Sequence, residues 1–399
     1  MNLRVANDIT GLGAPGALKT SRHMEGRTVL VVPAASLTTD PPPTHPAFFN
    51  PAASVNRDVA VALVAASGAR TFCDGMAGVG SRGVRVANEV DGVRESVLVD
   101  INREALGLAE RSAKLNRVLG KCAFRLSEVS SYFYSRFGRG AKFDCVDVDP
   151  FGSPARQIPG ALSATADGGL LSVTATDTAA LCGVYPKVAL RRYGGTSVSN
   201  SFHHETGVRI LVGALAREAA SQEIGVQPVF AHATRHYIRA TVRVSVGARR
   251  ADESLGSIGY VMWCRHCGEV WQSRASAVSC VACGRKSTAA GPLWTGPLTD
   301  GALVKKAGEV AGRMGFEDGG KVIRRTEGVD GFPPWSFEID EVCSALRRPT
   351  VPELSVIERL TEKGFKVMKQ PFELRGVKTD APRQEVVEAV RGAAGRKGI

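Results

Sequence analysis

Four cysteines stand in two tight pairs, Cys264-Arg265-His266-Cys267 and Cys280-Val281-Ala282-Cys283, with twelve residues between them. Each C-x2-C turn points two thiolates at one ion, and two such turns close a tetrahedral Zn²⁺ site with no position left for water or substrate. The expected role of that metal is structural, with His266 outside the ligand set. A second group, Asp149-Pro150-Phe151-Gly152-Ser153-Pro154, follows the short buried-strand pattern Phe143 to Val148. It supplies a carboxylate, a rigid turn and an aromatic ring, which are the parts needed to methylate an exocyclic amine of a nucleobase. The lone pair of such an amine is delocalised into the ring. A carboxylate must therefore accept its hydrogens and draw off the proton as the methyl arrives. Asp149 is the candidate proton acceptor, Pro150 fixes the turn and offers its carbonyl, and Phe151 stacks on a base taken out of its helix.

A third group, Asp74-Gly75-Met76-Ala77-Gly78-Val79-Gly80-Ser81-Arg82-Gly83, sits where a strand gives way to a helix. Small residues there let the backbone approach a ligand, and the helix start offers amide donors. Asp100 ends the next strand, 20 residues after Gly80, where a carboxylate can accept from both ribose hydroxyls of an adenosine. Nicotinamide dinucleotide and S-adenosylmethionine both present an adenosine to such a crevice, and the loop at Asp149 favours the latter.

These residues need a sheet with helices on both faces to position them. Thr71–Cys73, Ser96–Val99, Ala123–Leu126, Phe143–Val148 and Leu170–Val173 read as short buried strands, alternating with helical stretches at 81–89 and 102–119 and a helix between the last two strands. After a helical pattern from Thr206 to Glu223, the segment Val229 to Val246 alternates as antiparallel strands closing that sheet would. The fold class expected is α/β, a mostly parallel Rossmann-like sheet with an antiparallel closing strand, plus a smaller α+β domain. The division falls near Gly247, giving residues 1–250 and 251–399. Residues 1–50, rich in proline, read as a loop-rich arm ahead of a helix beginning near Asn56. Residues 338–370 read as two or three helices broken at Pro349 and Gly364, with Leu354, Ile357 and Leu360 on one face. A nucleic-acid-gripping module and a plain packing domain both fit that segment. His203-His204-Glu205 opens a helix and is read as structural, since adjacent histidines on a helix are expected to face different ways.

Composition sets the partner class. The chain has 399 residues, 44% apolar and 23% charged, with a net charge of +12. This excludes disorder and points to a polyanion, with nucleic acid first. Residues 1–250 carry +9 of that charge and residues 251–399 carry +3. Arg191-Arg192 and Arg249-Arg250 could contact phosphates, but for either pair a solvated face is the favoured reading. Uninterrupted apolar runs of membrane-spanning length are missing, and the opening residues carry Arg4 and Asp8 where a signal peptide needs an apolar stretch. Nine cysteines, four of them in metal-type pairs, suit a reducing compartment. The expectation is a cytoplasmic protein with no membrane association and no obligate protein partner.

Taken together, the motifs resemble the tRNA guanine-26 N2-dimethyltransferase family over most of the chain. Phe48-Phe49-Asn50-Pro51 with Asn56-Arg57-Asp58 is similar to a family motif whose arginine meets the methionine carboxylate of the cofactor, a role the resemblance assigns to Arg57. Arg82 matches the arginine after the glycine turn, Asp100 the ribose carboxylate, and Asp149 to Pro154 the catalytic loop. Glu128-Val129 stands where the family usually has Asp-Ala beside the adenine, a departure that lengthens the acid by one methylene. His236 to Arg239, Gly291 to Leu298 and Gly376 to Pro382 resemble further family segments, the last two being the most specific. The resemblance implies transfer of one and then a second methyl group from S-adenosylmethionine to N2 of guanine 26 of tRNA, at the junction of the D and anticodon stems. The cofactor-binding set it implies is Arg57, Asp74, Gly78, Gly80, Arg82, Asp100, Glu128 and Val129. The alternatives are a methyltransferase for another base or for DNA, and a binding protein that has lost transfer.

Overall fold

The computed structural model describes residues 18–136, 142–234, 236–373 and 375–393. Arg4 and Asp8, and with them the opening of the expected arm, lie outside the described residues. The next part of that arm departs from expectation. Strands β1 (Thr20–Glu25) and β2 (Thr28–Pro33) form an antiparallel hairpin, turning at Gly26-Arg27. Proline-rich flanks obscured it, although four of the five residues Thr28 to Val32 are β-branched, the kind strands prefer.

Helix α1 (Ser54–Ser67) leads into β3 (Thr71–Gly75), and the alternation then proceeds through α2 (Gly83–Glu89), β4 (Glu95–Asp100), α3 (Arg103–Leu115) and β5 (Cys122–Leu126). It continues with α4 (Val129–Ser135), β6 (Phe143–Val148), α5 (Ile158–Ala164) and β7 (Thr165–Ala175). Helices α6 (Thr178–Leu181), α7 (Pro186–Tyr193) and α8 (His203–Ala220) precede the closing pair β8 (Ile224–Ala233) and β9 (Ile238–Val246). These strands make one seven-stranded sheet in the order β5-β4-β3-β6-β7-β9-β8, parallel except for β9. The chain winds outward from β3 to β5 and then returns to β6 on the other side of β3. Strand order therefore reverses between β3 and β6, and the crevice beyond their carboxyl ends is where such sheets bind ligands.

The remaining elements are α9 (Ala248–Leu255), β10 (Ile258–Trp263), β11 (Val270–Ser273), β12 (Thr288–Trp294), α10 (Gly301–Met314) and α11 (Glu317–Arg324). They are followed by α12 (Ile339–Ala345), α13 (Glu353–Glu362), β13 (Val367–Lys369), β14 (Val377–Thr379) and α14 (Arg383–Ala393). The chain leaves the large sheet at α9, close to the expected division, but the cores are arranged differently. Val261, Leu293 and Trp294 share the core of β6, β7 and α8. Leu303, Val304, Ala307 and Ile323 of α10 and α11 pack with Val59, Leu63 and Phe72. A separate core, including Phe337, Val356, Leu360, Val377 and Val390, is confined to residues 337–393. On α13 the buried positions are Val356 and Leu360, while Leu354, expected on the inner face, is 59% exposed. Among the described residues no helix is long and apolar enough to cross a membrane.

Candidate functional site

The glycine turn begins on β3 and is drawn against the end of β4. The Gly78 amide donates to Asp100 Oδ2 at 2.7 Å, and the Asn102 amide donates to Asp100 Oδ1 at 2.8 Å. A carboxylate offers about four lone-pair positions. Each Asp100 oxygen thus keeps one acceptor position for a ribose hydroxyl, so the residues present fit an adenosine. Gly80 is required for packing: a Cβ there would come within 2.5 Å of Ala109 Cβ and 2.8 Å of Leu98 Cδ2, pushing α3 off the sheet. Glu128 precedes α4 and accepts from the amides of Ser130 at 2.9 Å and Ser131 at 2.7 Å. Exposed but held by those donors, its carboxyl titrates below the usual glutamate range. The Ser130 and Ser131 side chains also bond this carboxylate, so an amino group would share its exposed edge with them. Val129 beside it is buried, and its side chain packs over Gly75.

Under the turn lies a buried charge network that sequence reasoning found only in part. Asp74 on β3 and Asp147 on β6 are paired in register. Arg82 lies against the carboxylates of Asp147 in β6 and Asp149 just beyond it: Nη1 meets Asp147 Oδ1 at 3.1 Å, and Nη2 donates to Asp149 Oδ2 at 2.6 Å. The same Nη2 reaches Asn56 Oδ1 at 3.3 Å. Arg239 of β9, fully buried, donates to Asp147 through both terminal nitrogens and to Thr174 Oγ1 at 2.7 Å. Asp74 accepts from the Gly83 amide at 2.7 Å, which anchors the start of α2. Asp147 and Arg239 were not singled out from sequence. The signal was weak: Asp147 stands between Val146 and Val148 and Arg239 between Ile238 and Ala240, but each strand carries a second charge, Asp144 and Arg243.

The electrostatics separate two aspartates. Burial raises both. For Asp74, burial and the charges of Asp147 and Asp149 outweigh Arg82 and the Gly83 amide, and its pKa rises to about 7. For Asp149, Arg82 and Arg239 outweigh burial, and the carboxyl falls below the usual aspartate range. Asp149 is therefore a carboxylate at neutral pH, held in place but not sealed, since a quarter of its side chain is exposed.

Pro150 is buried next to it, and Phe151 is 69% exposed. The loop is tied to β7 by reciprocal bonds, Gly152 N to Thr176 Oγ1 at 2.6 Å and Thr176 N to Gly152 O at 2.8 Å. Opposite stands Phe48, whose ring meets that of Phe151 edge-on at 4.9 Å and whose carbonyl lies over Gly78. Arg57 occupies an unexpected setting. Its guanidinium is gripped by Glu25 of the hairpin at 2.6 and 2.5 Å and donates to the Asn50 carbonyl at 3.0 Å. Glu25 also meets Arg85 at 2.7 Å, so the hairpin is clamped onto α1 and α2.

The four paired cysteines converge as expected. Cys264 and Cys283 sulfurs lie 3.6 Å apart, as do those of Cys267 and Cys280, and all four ligand atoms lie within 4.8 Å of one another. A tetrahedron with Zn–S bonds of about 2.3 Å has S···S edges of about 3.8 Å, so the donor set fits zinc. Both turns have the same construction. Gly268 N bonds Cys264 O and Gly284 N bonds Cys280 O, and both glycines sit at positive φ, 73° and 68°. His266 points elsewhere, to Arg285 Nη1 at 2.9 Å.

His203 and His204 depart from expectation. Their rings pack against each other with centroids 4.3 Å apart and both line one cavity, because they occupy the first turn of α8, where the chain is still entering the helix. Glu205 is the structural member. It binds Arg209 of the same helix at 2.8 Å and both its oxygens accept from Lys378 of β14 at 2.7 Å.

Comparison with known proteins gives one consistent family. Residues 26–391 match the family described as N2,N2-dimethylguanosine tRNA methyltransferase. A tRNA (guanine(26)-N(2))-dimethyltransferase of Methanothermobacter thermautotrophicus is 35% identical, over 87% of this chain and 93% of its own. One of Methanopyrus kandleri is 33% identical, over 94% and 97% respectively. Among solved structures, the complex of Trm1 from Pyrococcus horikoshii with S-adenosyl-L-methionine superposes with a TM-score of 0.82 at 28% identity, covering 92% of this chain and 99% of that one.

Proposed function

This chain belongs to the N2,N2-dimethylguanosine tRNA methyltransferase family, and on that premise we propose that it methylates N2 of guanine 26 of tRNA, once and then again, with Asp149 as proton acceptor. It is an S-adenosylmethionine-dependent methyltransferase of the class I fold. The observation that carries the assignment of Asp149 is its quarter-exposed carboxylate at the switch point of the sheet, fixed by Arg82 and flanked by the exposed ring of Phe151.

When bound, the cofactor supplies a methyl group on a sulfonium, an electrophile that needs no further activation. Asp100 would hold its ribose hydroxyls, Glu128 its amino group and Val129 one face of its adenine, with the Gly78 and Gly80 backbone as the floor. Asp74 acts beneath that floor by anchoring α2. Arg57, matched by Glu25, acts by holding the hairpin and the Asn50 turn against the crevice, and any contact with the cofactor's carboxylate would share that guanidinium. Arg82 connects the two halves of the site, since it lies on the glycine turn and fixes Asp149.

Asp149 would accept hydrogens of the guanine amine, orienting its lone pair. A carboxylate of low basicity suffices, because the nitrogen becomes cationic as the methyl arrives and its proton becomes acidic. Phe151, Phe48 and the Pro150 carbonyl would hold the flipped base; unstacking it costs about a few kcal/mol. After the first transfer one hydrogen remains, so the base turns or rebinds and Asp149 acts a second time.

The grip on tRNA is assigned to the basic surface. Helix α7 exposes Lys187, Arg191 and Arg192 with Tyr185 just before it. Asp177 fixes this helix through Tyr193 Oη at 2.6 Å and Arg192 at 2.7 Å, one residue beyond the Thr176 that ties down the catalytic loop. Residues 1–250 would carry the transfer, and the zinc-bearing residues 251–399 would add contact with the RNA, in the cytoplasm.

The test is incubation with labelled S-adenosylmethionine and an unmodified tRNA transcript, followed by nucleoside mass spectrometry, beside a transcript with adenine at position 26. N2,N2-dimethylguanosine is expected in the first and none in the second; methylation persisting in the second would move the target. Asp149→Asn should lower transfer by about 10²-fold or more, with cofactor affinity by calorimetry within a few-fold. Normal turnover in that variant would remove Asp149 from the reaction.

A further inference from the structure

Cys182, which follows α6, and His203 and His204, which open α8, offer three metal-ligand atoms within 4.8 Å of one another, well apart in sequence from the four paired cysteines. Hydrogen bonding fixes how the two imidazoles present themselves. His203 Nδ1 lies 2.6 Å from the Asn200 carbonyl oxygen. A carbonyl can only accept, so Nδ1 carries the hydrogen. His204 Nδ1 lies 2.5 Å from Glu373 Oε2, while the other oxygen of that carboxylate accepts from the His204 amide at 2.8 Å. Nδ1 is therefore the donor in both rings, and in the neutral tautomer the lone pair of each sits on Nε2.

This is the arrangement that metal-binding histidines adopt, with one ring nitrogen donating to a carboxylate or carbonyl and the other facing the ion. The rings are tilted by 39°, and the buried Cys182 thiol completes the group. All three residues line a cavity of about 1150 Å³, which also takes in Arg325, Glu338 and Arg375.

We propose that Cys182 Sγ, His203 Nε2 and His204 Nε2 form a second metal site. One thiolate and two imidazoles select a borderline divalent ion, Zn²⁺ first. On binding, the Cys182 thiol gives its proton to solvent and the sulfur is neither oxidised nor reduced. Three protein ligands leave a fourth position, which opens on the cavity and takes water. Glu373, arriving from the C-terminal unit, is a positioning residue, and the site joins that unit to α6 and α8. The proposal is independent of the reaction assigned above.

The full-length protein, stripped by a chelator, reloaded with Zn²⁺ and freed of excess, should hold two equivalents per chain by elemental analysis. Cys182→Ser and the pair His203→Gln/His204→Gln should each hold one, with the four-cysteine site still filled. Glu373→Gln should weaken the second equivalent by about 10- to 100-fold and leave the first unchanged. One equivalent in the wild type, or two in both variants, overturns the proposal. Zinc-edge X-ray absorption on the wild type gives a reading that requires no variant to fold. A mixed sulfur and nitrogen shell with imidazole scattering is expected, and a shell of sulfur alone refutes the second site.

Discussion

Two aspartates, Asp74 on β3 and Asp149 just beyond the neighbouring β6, are driven in opposite directions by where the arginines lie. Burial raises both, but Asp149 lies against Arg82, which with Arg239 holds its carboxyl below the usual aspartate range; Asp74 is deeper, with like charges nearby, and its pKa reaches about 7. A carboxyl whose folded pKa exceeds its unfolded value, near 3.9, stabilises the fold fully below that unfolded value. That contribution is lost as pH rises through the folded pKa. Asp74→Asn keeps an acceptor for the Gly83 amide and removes the ionisation. The variant's melting temperature, measured without cofactor, should gain on the wild type between pH 5 and pH 8. Parallel curves for the two proteins would mean that Asp74 does not titrate in that window. Asp149, Asp74 and Arg82 were legible because they sit in motifs whose chemistry constrains their spacing. Asp147 and Arg239 were obscured because their partners come from strands more than ninety residues apart.

Helices and turns serve the site by connecting it to the rest of the chain. Helix α7 carries exposed cations and is fixed through Asp177, next to the residue that bonds the loop after Asp149. Charge reversal of Lys187 and Arg191 leaves that anchor intact. The expected result is weaker tRNA binding at low salt and a salt slope shallower by about one for each phosphate no longer neutralised, with cofactor affinity unchanged. An unchanged slope would place the RNA elsewhere. By contrast, Arg249 and Arg250 both bind Glu253 on their own helix, the pattern of a solvated face. The hairpin of β1 and β2 was hidden from sequence because its register and purpose depend on Glu25 meeting Arg57 and Arg85, a pairing that local pattern cannot disclose.

At the scale of the whole molecule, helix α8 is the joint. Arg209 donates to the carbonyls of Trp294 at 3.2 Å and Gly296 at 2.9 Å, and Glu205 receives Lys378. The two most family-specific segments, Gly291 to Leu298 and Gly376 to Pro382, thus converge on one turn of α8. Burial pulls the Lys378 ammonium down to about 8, with Glu205 opposing the fall, so the pair is ionised at neutral pH. Lys378 also donates to the carbonyls of Pro333 at 2.8 Å and Trp335 at 2.9 Å. Lys378→Met leaves Glu205 buried with Arg209 as its remaining cation. A loss of about 3–5 kcal/mol in denaturant unfolding is expected, beginning with the unit at 337–393. A loss below about 1 kcal/mol would mean that the joint is held by apolar packing alone.

Chain order and residue type were enough to read the class of fold, the glycine turn with Asp100, the loop at Asp149 and the four-cysteine turns. Each of these is local: a strand, its turn and the next few residues, whose spacing the backbone itself imposes. Tertiary packing supplied the rest. It placed α10 and α11 on α1, matched Arg57 with Glu25, and brought Cys182, His203, His204 and Glu373 to one cavity. Burial turns such distant pairings into strong interactions, because a charge or a lone pair removed from water must find its partner wherever the fold puts one. That requirement leaves little trace in the spacing of residues along the chain.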